Sequence, residues 1–431
     1  MRKFIETRKK LTKVIINHNI MPRISMRGIQ MPPSPIRKLA PLSDAAKAEG
    51  VKVYHLNIGQ PDLPSPDSAL EAIRNINRTT LEYSPSDGYR FYRKNLVHYY
   101  KEFDIDLTPE EIIITAGGSE AVLYAFMACL NPDDEIIVPE PAYANYMAFA
   151  ISAGAIIRTI PSTMESGFAL PPVEEFEKLI NERTKGILIC NPNNPTGYVY
   201  TPHEMEQIRK LVKKYDLYLF SDEVYREFIY NDTPYISACH LKDVEENVVL
   251  IDSVSKRYSE CGIRIGALIT KNKKVHDTVM KFCQARLSPP LIGQIAANAS
   301  LQENGTYMQH NFEEYKSRRD FLIERLNSIP GVYSPMPQGA FYTLARLPLD
   351  DADAFCAWCL SEFRYQGQTV FMAPASGFYV TPGLGRNEVR IAYVLNKDDL
   401  NNALIVLEKA LEAYPYTQRN ECGALHSEAN L

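Results

Sequence analysis

From about Asp67 to Asn304 the sequence alternates short, continuous apolar runs with amphipathic stretches of helical period. The runs at 112–115, 135–138, 186–190, 217–220, 248–252 and 267–270 are strand candidates. Several are apolar at successive positions rather than at every second one, as expected of strands buried on both faces. Between them, Thr201-Pro202-His203-Glu204 reads as a capping box with proline at the first helical position. Met205, Ile208, Leu211, Val212 and Tyr215 then form the buried face of that helix. After Ser119, the residues Val122, Ala125, Phe126, Cys129 and Leu130 repeat the pattern. Strand–helix–strand alternation implies an α/β fold, a mostly parallel sheet flanked by helices. Ligands of such sheets sit beyond the carboxyl ends of the strands, so the chemistry should lie just after each apolar run.

A long polar helix from about Gln309 leads to a second unit, with strands expected at 340–345 and 389–394, a helix between them and another at 398–413. The 431 residues then divide into a large domain, 67–308, and a smaller α+β domain made of 25–66 with 309–415. Residues 1–20 hold Arg2, Lys3, Arg8, Lys9, Lys10 and Lys13 against one acid, Glu6. No apolar core follows these charges and Ser and Ala are absent. Residues 1–24 are therefore expected to be a disordered extension, or in part the product of an early start codon ahead of Met21, rather than a targeting peptide. The tail 416–431 is expected to be disordered as well.

Composition narrows the partners. With 45% hydrophobic and 23% charged residues the chain can bury a sizeable core, and a net charge of −5 gives no reason to expect nucleic acid. No apolar run approaches the roughly 18 residues of a membrane span. Eight scattered cysteines are too few for a disulfide framework, which points to a reducing cytoplasm. Cys356 and Cys359 have redox-motif spacing, but with Leu360 and Phe363 they form the stripe of a core-facing helix, and no second pair completes a zinc site. They are expected to be structural, and no metal site is expected.

The strand ends carry the informative residues. After 186–190 comes Asn191-Pro192-Asn193-Asn194-Pro195-Thr196-Gly197, a tight loop in which Asn194 can present an amide above the sheet. After 217–220 comes Ser221-Asp222-Glu223-Val224-Tyr225. Each alone reads equally as turn or helix-cap chemistry. After 248–252 comes Ser253-Val254-Ser255-Lys256, then Gly262-Ile263-Arg264-Ile265-Gly266. Two hydroxyls and an arginine can bind a phosphate, and a lysine among them is a usable nucleophile towards an aldehyde. Thr115-Ala116-Gly117-Gly118-Ser119-Glu120 is a glycine turn opening a helix, whose free N–H groups and dipole suit an anion. Ordinary turn chemistry does not account for all of these at successive strand ends of one chain.

With Asn57-Ile58-Gly59-Gln60-Pro61-Asp62 and Val389-Arg390-Ile391 in the same order and spacing, the sequence resembles the class I/II aminotransferases over about residues 25 to 415. These are fold-type-I pyridoxal-phosphate enzymes and include aspartate aminotransferases. The resemblance implies pyridoxal 5'-phosphate held on Lys256 as a Schiff base, with the freed amine later moving the substrate proton. It implies that Asp222 pairs with the pyridinium nitrogen, that Tyr225 and Asn194 bond the phenolic oxygen, and that Tyr143 stacks on the ring. The phosphate would be held by Gly118, Ser119, Glu120, Ser253, Ser255 and Arg264. Tyr83 would reach it from a neighbouring subunit, which implies a homodimer with shared sites. Arg390 would clamp the substrate α-carboxylate with Asn194 and the backbone of Gly59. Glu260 departs from the apolar residue usual in the lysine block and bears on substrate range.

The activity implied is transamination between an amino acid and a 2-oxo acid, with aspartate and 2-oxoglutarate the leading pair. Alanine or aromatic amino acids, and a β-lyase or cyclising-lyase reaction, share the same scaffold. A transcription regulator with an aminotransferase-like domain is not expected, because the roughly 25 residues before the domain are too few for a DNA reader. A dicarboxylic substrate needs a second cation. The segment 284–290 offers Arg286, taken first, and the segment 34–37 offers Arg37.

Overall fold

Each residue of the run 112–115 is buried, and its side chains alternate between two separate apolar cores. Ile113 joins Ile136, Val138, Leu188, Phe220, Ile251 and Leu268 on one side. Ile112 and Ile114 join Ile137, Ile187, Ile189, Leu219, Leu250 and Ile269 on the other. That division is why the strands read as unbroken apolar runs: helices cover both faces, so neither side can be polar. Each fully buried isoleucine contributes roughly 1.5–3 kcal/mol.

The structure, a computed structural model, describes residues 22–303 and 305–418. The basic stretch up to residue 21, the tail from residue 419 and Cys422 lie outside the described residues. The chain divides after Pro32. The first unit holds the short helix Met26–Gln30, whose N-cap Ser25 hydroxyl accepts the Gly28 N–H. In the second unit the strands are β1 (Lys52–His55), β2 (Ile112–Thr115), β3 (Glu135–Glu140), β4 (Ile156–Pro161), β5 (Thr184–Cys190), β6 (Tyr218–Asp222), β7 (Val248–Ser253), β8 (Gly266–Ile269), β9 (Tyr342–Arg346), β10 (Gln368–Phe371), β11 (Ala373–Pro374) and β12 (Glu388–Ala392).

Seven of them form one sheet in the order β2-β8-β7-β6-β5-β3-β4. From β4 to β7 the neighbours are parallel, and β8 runs antiparallel to both β7 and β2. With helices packed on both faces this is the α/β architecture expected from the alternation. β4 was not foreseen, because its polar positions Arg158 and Thr159 break the apolar run of an edge strand. Three strands run further than their apolar runs suggest, β3 to Glu140, β6 to Asp222 and β7 to Ser253. Polar residues therefore end the buried strands themselves.

The smaller sheets are β11-β12-β9, antiparallel, and the parallel pair β1-β10. β9 and β12 lie where expected within two residues, whereas β1, β10 and β11 carry no strong sequence signal. The helix Pro202–Tyr215 begins at the Thr201 capping box as read from the sequence. Cys356 and Cys359 are buried and free on the helix Ala352–Ser361. Among the described residues no helix is long and apolar enough to cross a membrane. Register brings Cys190 beside Asp222, Asp222 beside Ile251, and Gly266 beside both Ser253 and Thr115. One edge of the sheet thus collects the ends of β2, β5, β6 and β7.

Candidate active site

The anion cradle is built first by a close approach. Gly117, with φ 84°, precedes the helix Gly118–Cys129, and a Cβ there would lie 2.4 Å from an Arg264 guanidinium nitrogen. Only glycine lets Arg264 close over the helix N-terminus, whose first N–H groups have no helical acceptor. Arg264 is oriented by donating to the Cys261 carbonyl at 2.9 Å. The Ser253 hydroxyl lies 2.8 Å from that of Ser255 and accepts the Ser255 N–H at 3.2 Å, capping the short helix that carries Lys256.

These groups face a cavity of about 760 Å³. Its wall includes Gly59, Gly118, Ser119, Tyr143, Asn194, Asp222, Tyr225, Ser253, Ser255, Lys256, Arg264 and Arg390, so residues separated by more than 300 positions converge on it. Lys256 Nζ donates to the Gly59 carbonyl at 2.9 Å. A Cβ on Gly59 would overlap the Tyr342 hydroxyl, so glycine at this position is what lets the Tyr342 ring lie against the backbone. Tyr225 donates to the Tyr342 hydroxyl at 3.0 Å. Tyr143 packs edge-on to Tyr146, ring centroids 5.3 Å apart, and accepts from Asn145 at 2.7 Å.

Two ionic groups in this wall are buried without a counter-charge among the described residues. Asp222 accepts from the Tyr146 hydroxyl at 2.6 Å, and burial pushes its carboxyl up to about 6. Arg390 donates to Asn194 Oδ1 at 3.1 Å and to the Asn57 carbonyl, while its Nε has no partner. Its guanidinium lies 4.5 Å from the Tyr342 ring and 4.9 Å from the Phe378 ring, and burial pulls its pKa below the ordinary value. A desolvated charge left unpaired is costly, so both groups await a ligand of opposite sign.

Not every residue singled out in the sequence lines the cavity. The Glu120 carboxylate turns back to accept the Ala116 N–H at 2.8 Å and faces Arg286 Nε at 3.4 Å. Arg286 is accordingly outside the wall, with a second nitrogen 3.4 Å from the carbonyls of Ser86 and Ile114. This corrects its placement beside the substrate side chain: its partners lie behind the cradle, at the β2 edge. Arg37 does line the cavity, and no side-chain partner for it occurs among the described residues. Tyr83 is 76% exposed and lies outside the wall. Glu260 is buried against the Ser300 hydroxyl, with its carboxyl pushed up to about 7 by burial, and does not line the cavity.

The sequence reading missed Tyr146, Tyr342 and Phe378. Tyr146 stands three residues after Tyr143 at the start of a helix, which is the one local signal that could have found it. Tyr342, on β9, and Phe378, at the end of the helical turn Ala375–Phe378, reach the site only through long-range packing.

Buried charges without partners, gathered where an α/β sheet opens, mark an enzyme built around a small ionic ligand. Comparison with known proteins makes the class specific. The chain belongs to the class I and II aminotransferases, whose family profile matches residues 51–407, and it is an enzyme that transfers amino groups. An aspartate aminotransferase of Thermotoga maritima is 33% identical over 386 residues, covering 88% of this chain and 97% of the relative. A solved structure of the aspartate aminotransferase of that organism superposes with a TM-score of 0.82 at 31% identity, over 90% of this chain and 100% of the other. An alanine aminotransferase from Pyrococcus furiosus matches equally in shape, with a TM-score of 0.83 at 30% identity over 90% of this chain and 99% of its own.

Proposed function

We propose that this aminotransferase works with pyridoxal 5'-phosphate anchored on Lys256 and exchanges amino groups between aspartate and 2-oxoglutarate. The observation that carries the reading is the pair of uncompensated buried charges, Asp222 and Arg390, in the wall that also holds Lys256. The residues fit such a cofactor. Arg264, the N–H groups of Gly118 and Ser119 and the hydroxyls of Ser253 and Ser255 offer a phosphate both charge and donors. Tyr143 offers a ring face. When bound, the cofactor supplies the aldehyde that accepts the amino group and the ring that draws electrons from the substrate Cα.

The chain's own residues do the rest. Asp222 would hold a proton on the ring nitrogen of the bound cofactor, and Tyr146, donating to it at 2.6 Å, fixes that carboxylate. Tyr225 and Asn194 would donate to the cofactor's phenolic oxygen, since Asn194 spends its carbonyl on Arg390 and its amide hydrogens have no acceptor among the described residues. Arg390 takes the substrate α-carboxylate with its unpartnered face, and Lys256 Nζ, once freed, moves the proton from Cα. Residues 67–308 form the cofactor-binding domain, and 25–66 with 309–415 form the smaller domain that brings Arg390 and Gly59. A second subunit supplies Tyr83, and the enzyme works in the cytoplasm. Arg37, a cation in the wall without a carboxylate partner among the described residues, suits the distal carboxylate of aspartate and supports it over alanine.

Borohydride reduction and peptide mapping of the loaded protein should label Lys256. Offered a panel of amino acids with 2-oxoglutarate, the enzyme should form most glutamate from aspartate. Arg37→Ala should lower kcat/KM for aspartate about tenfold, the cost of one charged hydrogen bond at an exposed position, and leave alanine nearly unchanged. An equal fall for both substrates, or a label on another lysine, would refute the reading.

A further inference from the structure

The end of β3 carries a carboxylate that the proposed chemistry leaves unused. Glu140 is fully buried, and no salt bridge to it occurs among the described residues. One oxygen accepts two successive backbone N–H groups, from Val380 at 2.6 Å and from Thr381 at 3.2 Å. The other oxygen has no partner. A buried carboxylate is costly to desolvate, and it is tolerated here by bonds that tie a distant segment of chain to the sheet edge. The same segment has three further ties: the Ala142 N–H donates to the Phe378 carbonyl at 2.9 Å, the Tyr379 hydroxyl donates to Glu388 at 2.8 Å, and the Thr159 and Thr381 hydroxyls lie 3.4 Å apart. Phe378, the first residue of this anchored run, lays its ring 4.9 Å from the Arg390 guanidinium.

We propose that Glu140 is a positioning residue for the substrate carboxylate, acting through Phe378 on Arg390. The inference rests on the reading that Arg390 receives the α-carboxylate. Among the described residues Arg390 has no carboxylate to hold it, so its orientation depends on the two neutral acceptors and on the Tyr342 and Phe378 rings. With Glu140 anchoring residues 380 and 381, the Phe378 ring keeps water off the guanidinium and fixes its plane. Without that anchor the ring moves, water reaches Arg390, and the clamp is weaker and less well ordered. The remaining pins keep the segment nearby, so the loss is partial.

The test uses the cofactor-loaded enzyme and two readouts, kcat and KM for aspartate and the dissociation constant of succinate, an unreactive dicarboxylate, by spectral titration. Glu140→Ala should raise both KM and the succinate constant about tenfold, the size of one ring–cation contact, while kcat stays within about threefold. Glu140→Gln keeps a carbonyl for both amides and should recover most of the affinity. Phe378→Leu should reproduce the loss, and the double variant Glu140→Ala/Phe378→Leu should be no worse than Phe378→Leu alone. Multiplying losses, or a fall in kcat with KM unchanged, would overturn the proposal. Arg390→Lys separates the two readings. If it leaves succinate affinity intact, the carboxylate site is elsewhere and both fail; if affinity collapses but Glu140→Ala has no effect, the role of Glu140 alone fails. Should Glu140→Ala not fold, an unchanged succinate constant in Phe378→Leu overturns the proposal by itself.

Discussion

Asp222 shows what it costs a single residue to wait for a charged ligand. Tyr146 supplies one strong hydrogen bond, but no cation faces the carboxylate among the described residues, and burial lifts it from 3.8 to about 6. An acid raised in this way holds its proton more tightly folded than unfolded. Its contribution to stability is therefore fully present below the unfolded value near 3.8 and is lost as pH rises through about 6. At 1.36 kcal/mol per pKa unit the lift amounts to about 3 kcal/mol. In cofactor-free protein, Asp222→Asn should melt higher than wild type at pH 8, with the gap closing towards pH 4. If Asp222 pairs with a cofactor ring nitrogen as proposed, the order should reverse in loaded protein. Thermal melts at both pH values, with and without cofactor, check this; a gap in cofactor-free protein that does not change with pH would show that the Asp222 carboxyl titrates alike folded and unfolded, so that burial does not raise it.

Helix starts and strand ends are where local sequence and long-range packing meet. Thr201 accepts the Glu204 N–H at 3.2 Å and Glu204 accepts the Thr201 N–H at 2.7 Å, a reciprocal cap written in four consecutive residues. Glu204 also accepts the Leu170 N–H at 2.8 Å and the Tyr198 hydroxyl at 2.9 Å, bonds no local pattern announces. Thr201→Ala should cost about 1 kcal/mol in urea unfolding, as an ordinary cap does. Glu204→Ala should cost at least twice that, because two further donors are left unmet. Equal costs would mean that Glu204 serves only the helix.

The same contrast explains how far the sequence could be read. Apolar runs covered on both sides are local, so six strands of the main sheet were legible, together with the polar residues that follow them. β4 was not, because an edge strand need not be apolar throughout, and β1 and β10 each depend on the other across more than 300 positions. In the site, glycine turns, lysine and hydroxyls keep their local spacing, and those residues were found to share one cavity. Which of two arginines enters that cavity is decided by partners far along the chain. Glu120 holds Arg286 behind the cradle, and nothing in the residues around Arg286 encodes that choice.

At the scale of the whole molecule, the proposed dimer makes the clearest demand. Tyr83 is 76% exposed, with Leu81 at 64% and Leu287 at 50%, so its side chain is available to a neighbouring subunit. If Tyr83 completes the phosphate site of a neighbouring subunit, inactive Lys256→Ala and inactive Tyr83→Ala proteins should regain activity on mixing. One site of each mixed dimer is then intact, and about a quarter of wild-type turnover per subunit is the order expected after full exchange. Verified exchange without recovery would show that Tyr83 does not act across the interface.

The placement of Arg286 has a consequence outside catalysis. An open sheet ends in two strands whose outer amides and carbonyls can recruit strands from other chains, the usual first step of aggregation. At β2 those groups are occupied: the Ile114 N–H donates to the Asp87 carbonyl at 3.0 Å, and the Ile114 carbonyl lies 3.4 Å from an Arg286 nitrogen. At β4 the strand ends in Pro161, which has no amide hydrogen, and carries the charged Arg158, paired with Glu135 of β3 at 2.8 Å. Each border of the sheet thus carries a feature that discourages strand addition, and at β2 part of it is the arginine whose sequence context suggested a place beside the substrate.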